Sequence, residues 1–388
     1  MTVNYSYAAS TATSFTFWKL MAYWRGSIWK LVYREVLAWF MAYVAIMLTF
    51  HLVLRNTVHE KPLIDFLKYC KIGEKSNEVT LILGFFTTLA LLRFWEIYQC
   101  VQWPDNMALA ISTYLKSDTA TEPHVRVIRK TCARYIMLSF ILVMRDVSSP
   151  IRKRFPQLRM LVENGGLLTE TELTMLEGSL SNFPGACKYW IPIIWMCNLL
   201  KKHFGELTAI DRGNVVNRYA YNDLINEILT FRSKISDVLS YDWVPIPLAY
   251  LQLCVFSVYI RLLIMLFSDQ VTETDGISGW DIVQPIFFSS VQLVMMLGWI
   301  KSAEVLLNPF GHDDDDLEIS WLIDRHWLTV TKILDRPMSN LPTMNAATEA
   351  SIHSSHLPHT VASRFLLKKK QPNPMVGSVA KMTVKHSL

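Results

Sequence analysis

Cysteine is scarce and unpatterned: the six residues Cys70, Cys100, Cys132, Cys187, Cys197 and Cys254 show no CxxC spacing, and several lie inside apolar runs. A disulfide framework is therefore not expected, and the thiols read as small buried hydrophobes in a reducing setting. Charge is also sparse. Only 18% of residues are Asp, Glu, Lys or Arg, the net charge is +5, and the basic residues are scattered rather than striped, which argues against nucleic acid as a partner. No GxSxG, P-loop, HExxH or dinucleotide fingerprint occurs, so nothing indicates an enzyme. No repeat of 20–50 residues is visible, and no early apolar run leads into a small-residue cleavage site, so no cleaved signal is expected.

Apolar side chains are plentiful. They make up 51% of the 388 residues, and the mean hydropathy is +0.23, which points to membrane segments. Four stretches approach the roughly 20 helical residues that span ~30 Å of hydrocarbon. The expected spans are about 31–55, 77–98, 243–267 and 281–300. The second is short unless its helix continues through Arg93 and Glu96 into protein, and the third carries Arg261, which should face the interior or snorkel. Tyr135 to Met144 and Tyr189 to Leu200 are too short to cross and read as core helices of a soluble layer.

Orientation follows from the loops. Residues 268–280 hold Asp269, Glu273 and Asp275 and no Lys or Arg, so by the positive-inside rule they lie outside. The basic stretch between spans two and three belongs inside. The loop at 55–78, with Lys61, Lys68, Lys71 and Lys75, is the exception. The sum is a multi-pass membrane protein with both termini cytoplasmic, which leaves the Asn4-Tyr5-Ser6 sequon on the wrong side for glycosylation. The soluble region, about 99–240 and 301–336, is helical in pattern. Residues 337–388 are rich in Ser, Thr, His, Pro and Lys and read as a flexible tail.

Directly after the fourth span comes "NPFGHDDDDLE", Asn308 to Glu318. Three readings compete for the four consecutive aspartates, Asp313 to Asp316. Carboxylates favour a helix N-terminus, by ~0.3–1 kcal/mol each, although four together repel. An EF-hand is excluded, because the glycine at its sixth position and the later bidentate Glu are missing. A calcium site of another design remains, with Asp313 and Asp316 on one side of a helix start and turn carbonyls beside them.

The same stretch closely resembles the signature of the bestrophin family of pentameric anion channels. The resemblance extends through "WRGSIWKLVYRE" (Trp24 to Glu35), "LGFFTTLALLRFW" (Leu83 to Trp95), "WPD" (Trp103 to Asp105), "KRFP" (Lys153 to Pro156), "YDWVPIPLAYLQL" (Tyr241 to Leu253) and "WLIDR" (Trp321 to Arg325), in family order over residues 1–336. It implies an all-α membrane protein: a homopentamer around one central pore, with four transmembrane helices per subunit and a large cytoplasmic helical region. It also implies a calcium-activated chloride channel of the cell membrane, with mixed assembly with relatives as a further partnership.

The resemblance supplies site residues as well. A calcium clasp maps onto the side chains of Asp313 and Asp316 and the carbonyls of Val305, Asn308 and Ser10, the last on an N-terminal strand. A hydrophobic neck maps onto Asn77, Leu81 and Phe85 of the second span, and a cytoplasmic aperture onto Tyr219, close to an insertion. Here the chain departs from the family. Asn77 is polar, and Glu78 stands where animal relatives often have proline, so a ring of carboxylates at the mouth would repel anions. Cation or non-selective permeation, or a non-conducting membrane regulator, are the alternatives that this departure raises. In the tail, "ASRFLLKKKQPNPMVGS" (Ala362 to Ser378) is loosely similar to the family's inhibitory strap, its rival being a basic segment drawn to anionic lipid. His353, His356 and His359 share a spacing of three, which in such a segment is more often chance than a metal site.

Overall fold

Glycine and proline are few (14 and 16 of 388 residues), so long runs of good helix formers go uninterrupted. In the computed structural model, which describes residues 5–54, 57–75, 79–115, 122–163, 165–178, 187–210, 215–270, 279–335 and 359–367, every regular element among the described residues is helical.

Two short helices, α1 (Ser6–Ser10) and α2 (Ser14–Met21), precede α3 (Ile28–Thr49), which continues as a π turn over Phe50–Leu54. The expected N-terminal strand at Ser10 is thus a helical turn, in keeping with the alanines of "SYAAS". Next come α4 (Glu60–Lys75) and α5 (Val79–Cys100). The stretch read as a loop therefore contains a helix. Its sequence carries Leu63, Ile64 and Leu67 on one face, Leu67 is buried, and Phe66 packs edge-on at 5.7 Å against Phe267.

The soluble layer holds α6 (Asp105–Tyr114), α7 (Glu122–Val147), α8 (Ser149–Arg154), α9 (Met160–Glu163), α10 (Glu170–Gly178), α11 (Trp190–Ile210) and α12 (Val215–Trp243). The chain then returns through α13 (Leu248–Ser268) and α14 (Gly279–Leu306) and ends its first unit with α15 (Ile319–Asp335). Trp243, expected in the third span, instead ends α12. Pro245 and Pro247 lack the N–H that would carry the helix on, so α13 starts afresh at Leu248. The fourth helix runs past residue 300 to Leu306, because Lys301 is held by Glu304 at 2.9 Å and Glu35 at 3.6 Å.

Four helices are long and apolar enough to cross a membrane: Ile28–Leu54, Val79–Tyr114 (α5 and α6 taken together), Leu248–Ser268 and Val283–Leu306. Two separate cores result. One joins α3, α5, α13 and α14 through residues such as Val32, Phe86, Val258 and Leu297; the other joins α6, α7, α11, α12 and α15 around Met137, Phe140, Leu224 and Val330. Tyr135 to Met144 and most of Tyr189 to Leu200 fall in this second core, as short apolar runs must when water lies beyond them. Where the layers meet, Arg93 donates to the carbonyls of Tyr241 and, at 2.9 Å, Val244, meeting the negative end of α12. Arg261 is buried.

By internal contacts the chain divides into residues 1–337 and 338–388. Of the second unit, Thr360 caps a 3-10 turn (Val361–Ser363) that leads into α16 (Arg364–Leu367). His353, His356 and residues 368–378 of the strap-like stretch lie outside the described residues, as does Asn4.

Candidate functional site

Residues 307–318 link α14 to α15 by a turn that largely satisfies itself. Asn308 Oδ1 accepts from the Phe310 N–H at 3.4 Å, and the Pro309 carbonyl accepts from the Leu317 N–H at 2.9 Å. Phe310 is buried in the soluble core, and its carbonyl accepts from Ser148 Oγ at 3.0 Å. So anchored, the turn ties two aspartates to each other. The Asp313 N–H donates to Asp316 Oδ2 at 2.6 Å, and the Asp316 N–H donates to the Asp313 carbonyl at 3.2 Å.

Gly311 makes room for this. A Cβ there would sit 2.7 Å from Asp316 Oδ2 and 3.5 Å from the Asn308 carbonyl oxygen, so the carboxylate packs over bare backbone. The helix-start reading of the cluster is corrected here. Helix α15 begins at Ile319 with no acidic residue in its first turn, because the turn's own hydrogen bonds hold the aspartates ahead of it.

The four carboxylates have unlike surroundings. Asp314 faces the N-terminal segment, where it takes Lys30 Nζ at 2.5 Å, the Gly26 N–H at 3.1 Å and Arg25 at 3.7 Å. Gly26 can present that N–H because its φ of 64° is open to glycine. The Lys30 hydrogen bond, then that of Gly26, hold Asp314 below the usual carboxylate range. Asp315 goes the other way, raised by burial and by Asp314 and Asp313. Asp316 is only 5% exposed, and burial, with repulsion from Asp313 and Asp315 against the Asp313 hydrogen bond, pushes it up to about 6. Among the described residues no cation pairs with it, since Lys30 and Arg25 are taken up by Asp314.

Val305 and Asp313 to Asp315 line a cavity of about 400 Å³ together with Trp24, Gly26 and Lys30. A second cavity of about 290 Å³ places Ala9, the neighbour of Ser10, beside Asp315. Of the predicted clasp residues, Asn308, Asp313 and Asp316 lie on this turn and Val305 in the helix before it, whereas Ser10 lies on α1. Among the described residues no three His, Cys, Asp or Glu side chains close into a cage, so what is on offer is two tied carboxylates with main-chain oxygens. Such a hard oxygen set around an unpaired, buried carboxylate fits a calcium ion.

On α5, Leu81 and Phe85 lie one turn apart and are 61% and 65% exposed, while Val79, Leu83, Phe86 and Ala90 on the other side are buried. One apolar face of this helix therefore has no cover among the described residues. Tyr219 is exposed on α12. Asn77 and Glu78 lie outside the described residues. Sequence reasoning missed the partnership of Arg25, Gly26 and Lys30 with Asp314. The signal available was the "WRGSIWK" stretch, whose match to relatives had no stated role.

The comparisons with known proteins agree with this architecture. The family model described as "Bestrophin, RFP-TM, chloride channel" matches residues 1–336. Human Bestrophin-3 is 35% identical over 367 residues, which cover 94% of this chain and 52% of that protein. Bestrophin homolog 22 of Caenorhabditis elegans is 33% identical over 337 residues, 86% of this chain and 64% of that one. The chain therefore spans between about half and two thirds of the length of these relatives. Among solved structures, a bacterial bestrophin homologue from Klebsiella pneumoniae superposes with a TM-score of 0.52 at 16% identity, over 79% of this chain and 98% of the other. With the match running through both helical layers and the aspartate turn, this chain belongs to the bestrophin family.

Proposed function

We propose that the chain is a subunit of a calcium-activated anion channel: a homopentamer in the cell membrane, with both termini cytoplasmic, that conducts chloride between α5 helices. The observation that carries the reading is Asp316, a buried carboxylate without a cationic partner among the described residues and packed over the bare backbone of Gly311. An uncompensated buried charge is costly, and a bound cation is the simplest remedy. The donors would be the carboxylates of Asp313 and Asp316 and the carbonyls of Val305, Asn308 and Ser10. Bound calcium supplies the positive charge that offsets repulsion within the cluster.

The gating follows from what those residues join. The N-terminal segment and the turn after α14 both border the start of α3, so a tie between them favours the arrangement in which they meet. It shifts the equilibrium only by its preference for that arrangement. Leu81 and Phe85 form apolar rings that shut by dewetting and conduct once widened, and Tyr219 forms a second constriction. The exposed apolar face of α5 and the chloride-channel description of the matching family model support this reading.

The test is current through purified protein in planar bilayers. Reversal potentials should follow the chloride gradient, activation should need calcium, and Asp316→Ala should abolish the calcium response. Phe85→Ala should leave a current that persists without calcium. Reversal that tracks sodium, and moves toward chloride in Glu78→Ala, would overturn anion selectivity and favour the cation reading raised by Glu78.

A further inference from the structure

His124, in the first turn of α7, and His203, in the second half of α11, face each other with ring centres 6.4 Å apart. His203 is buried and His124 exposed, so the pair opens to solvent on one side only. Neither ring makes a hydrogen bond or ion pair among the described residues, although a buried imidazole ordinarily does. Glu206 stands three residues beyond His203 on α11, on the same helix face and exposed. Burial, then the neighbouring His124, lower the proton affinity of His203 against the pull of Glu206, leaving its lone pair available.

We infer that His124 and His203 form a two-imidazole site for a divalent transition metal of the zinc class, bridging α7 and α11. Imidazole nitrogen suits such borderline metals, whereas the aspartate turn presents only hard oxygen. With Zn–N bonds of ~2.0–2.1 Å, two imidazoles on one tetrahedral zinc put their ring centres roughly 5 Å apart. The observed spacing is slightly longer, and rotation of the exposed His124 side chain closes the difference. Among the described residues no three His, Cys, Asp or Glu side chains are placed to hold a metal together, so this is an open two-nitrogen chelate completed by water, weaker than a structural zinc centre. Its consequence lies next door. His203 packs against Phe204 at 5.5 Å, and Phe204 against Tyr221 of α12 at 6.1 Å, two residues beyond Tyr219. A metal here would brace the start of α12.

The site is independent of the channel reading, and its test needs no current. Full-length protein in detergent, with calcium saturating, is titrated with Zn²⁺ in equilibrium dialysis, and with Co²⁺ for its visible absorption. One zinc per subunit is expected. His124→Asn, a change at an exposed ring, should weaken binding at least about tenfold and abolish the cobalt band, with thermal stability in metal-free buffer unchanged. The Asp313→Asn/Asp316→Asn pair should still bind. Equal zinc affinity in His124→Asn and the unaltered chain, zinc binding lost only with the aspartates, or no zinc bound at all would each overturn the proposal.

Discussion

Arg325 donates to both carboxylate oxygens of Asp105, at 2.8 and 2.6 Å. Its guanidinium also lies 4.2 Å over the ring of Trp103. The pair joins α15, the helix that follows the aspartate turn, to the first turn of α6, where Asp105 also meets the positive helix end. Since α6 comes directly after α5, the turn and the helix carrying Leu81 and Phe85 are linked through one fork-and-stack contact. The "WPD" and "WLIDR" stretches, far apart in sequence, turn out to be its two halves.

This contact should matter for stability. Arg325→Ala leaves Asp105 half-buried and unpaired, at a cost of about 2–3 kcal/mol. The unfolding midpoint of detergent-solubilised protein should drop by about 5 °C or more. Arg325→Lys should recover less than half of the loss, because an ammonium neither forks onto two oxygens nor stacks on indole. Equal midpoints for the lysine variant and the unaltered protein would mean that only the charge counts.

Next to it, His326 makes stability depend on pH. Arg325 Nη1 donates to His326 Nδ1 at 3.0 Å, so the ring proton sits on Nε2, which has no hydrogen-bond partner in the described residues and is enclosed by Trp103 and Phe140. Burial, then the Arg325 charge, push His326 down to about 4 from the ordinary 6.5, against Asp105. The folded state therefore refuses a proton that the unfolded chain accepts. Stability is full above pH 6.5, falls as pH drops from there toward 4, and levels off below, with a total loss on the order of 3 kcal/mol. Midpoints measured between pH 7.5 and 4 (roughly) should slope less in His326→Asn.

Gly311 gives a third expectation. Adding one methyl group in Gly311→Ala displaces the Asp316 carboxylate from its place over the Gly311 backbone, since the new carbon would lie 2.7 Å from Asp316 Oδ2. Calcium titrations by isothermal calorimetry should show affinity reduced by about tenfold or more, with little change in the unfolding midpoint in chelator. An unchanged calorimetric affinity would argue that Asp316 is not part of the cation site.

Much of the architecture was legible along the chain because hydrocarbon length imposes itself locally. An apolar run either reaches across or does not, and the four crossing helices were readable from that alone. The likeness of "NPFGHDDDDLE" also marked the aspartate turn. Local pattern did less well where the backbone is set by neighbours. Helix α4 looks like a loop in sequence, because its lysines outweigh a narrow apolar face that gains its meaning from packing on α13. The break at Val244 to Pro247 is invisible to hydropathy, which does not register a missing N–H.

What the sequence by itself determined is the class of the molecule, since hydropathy and family likeness are properties of residues in order. Which aspartate is neutralised and which is left buried and alone was decided only by the tertiary structure. The same holds for the Arg325–Asp105 fork and the facing of His124 with His203. These are pairings between segments far apart in sequence, and a charge takes its meaning from what packing places within a few ångströms of it.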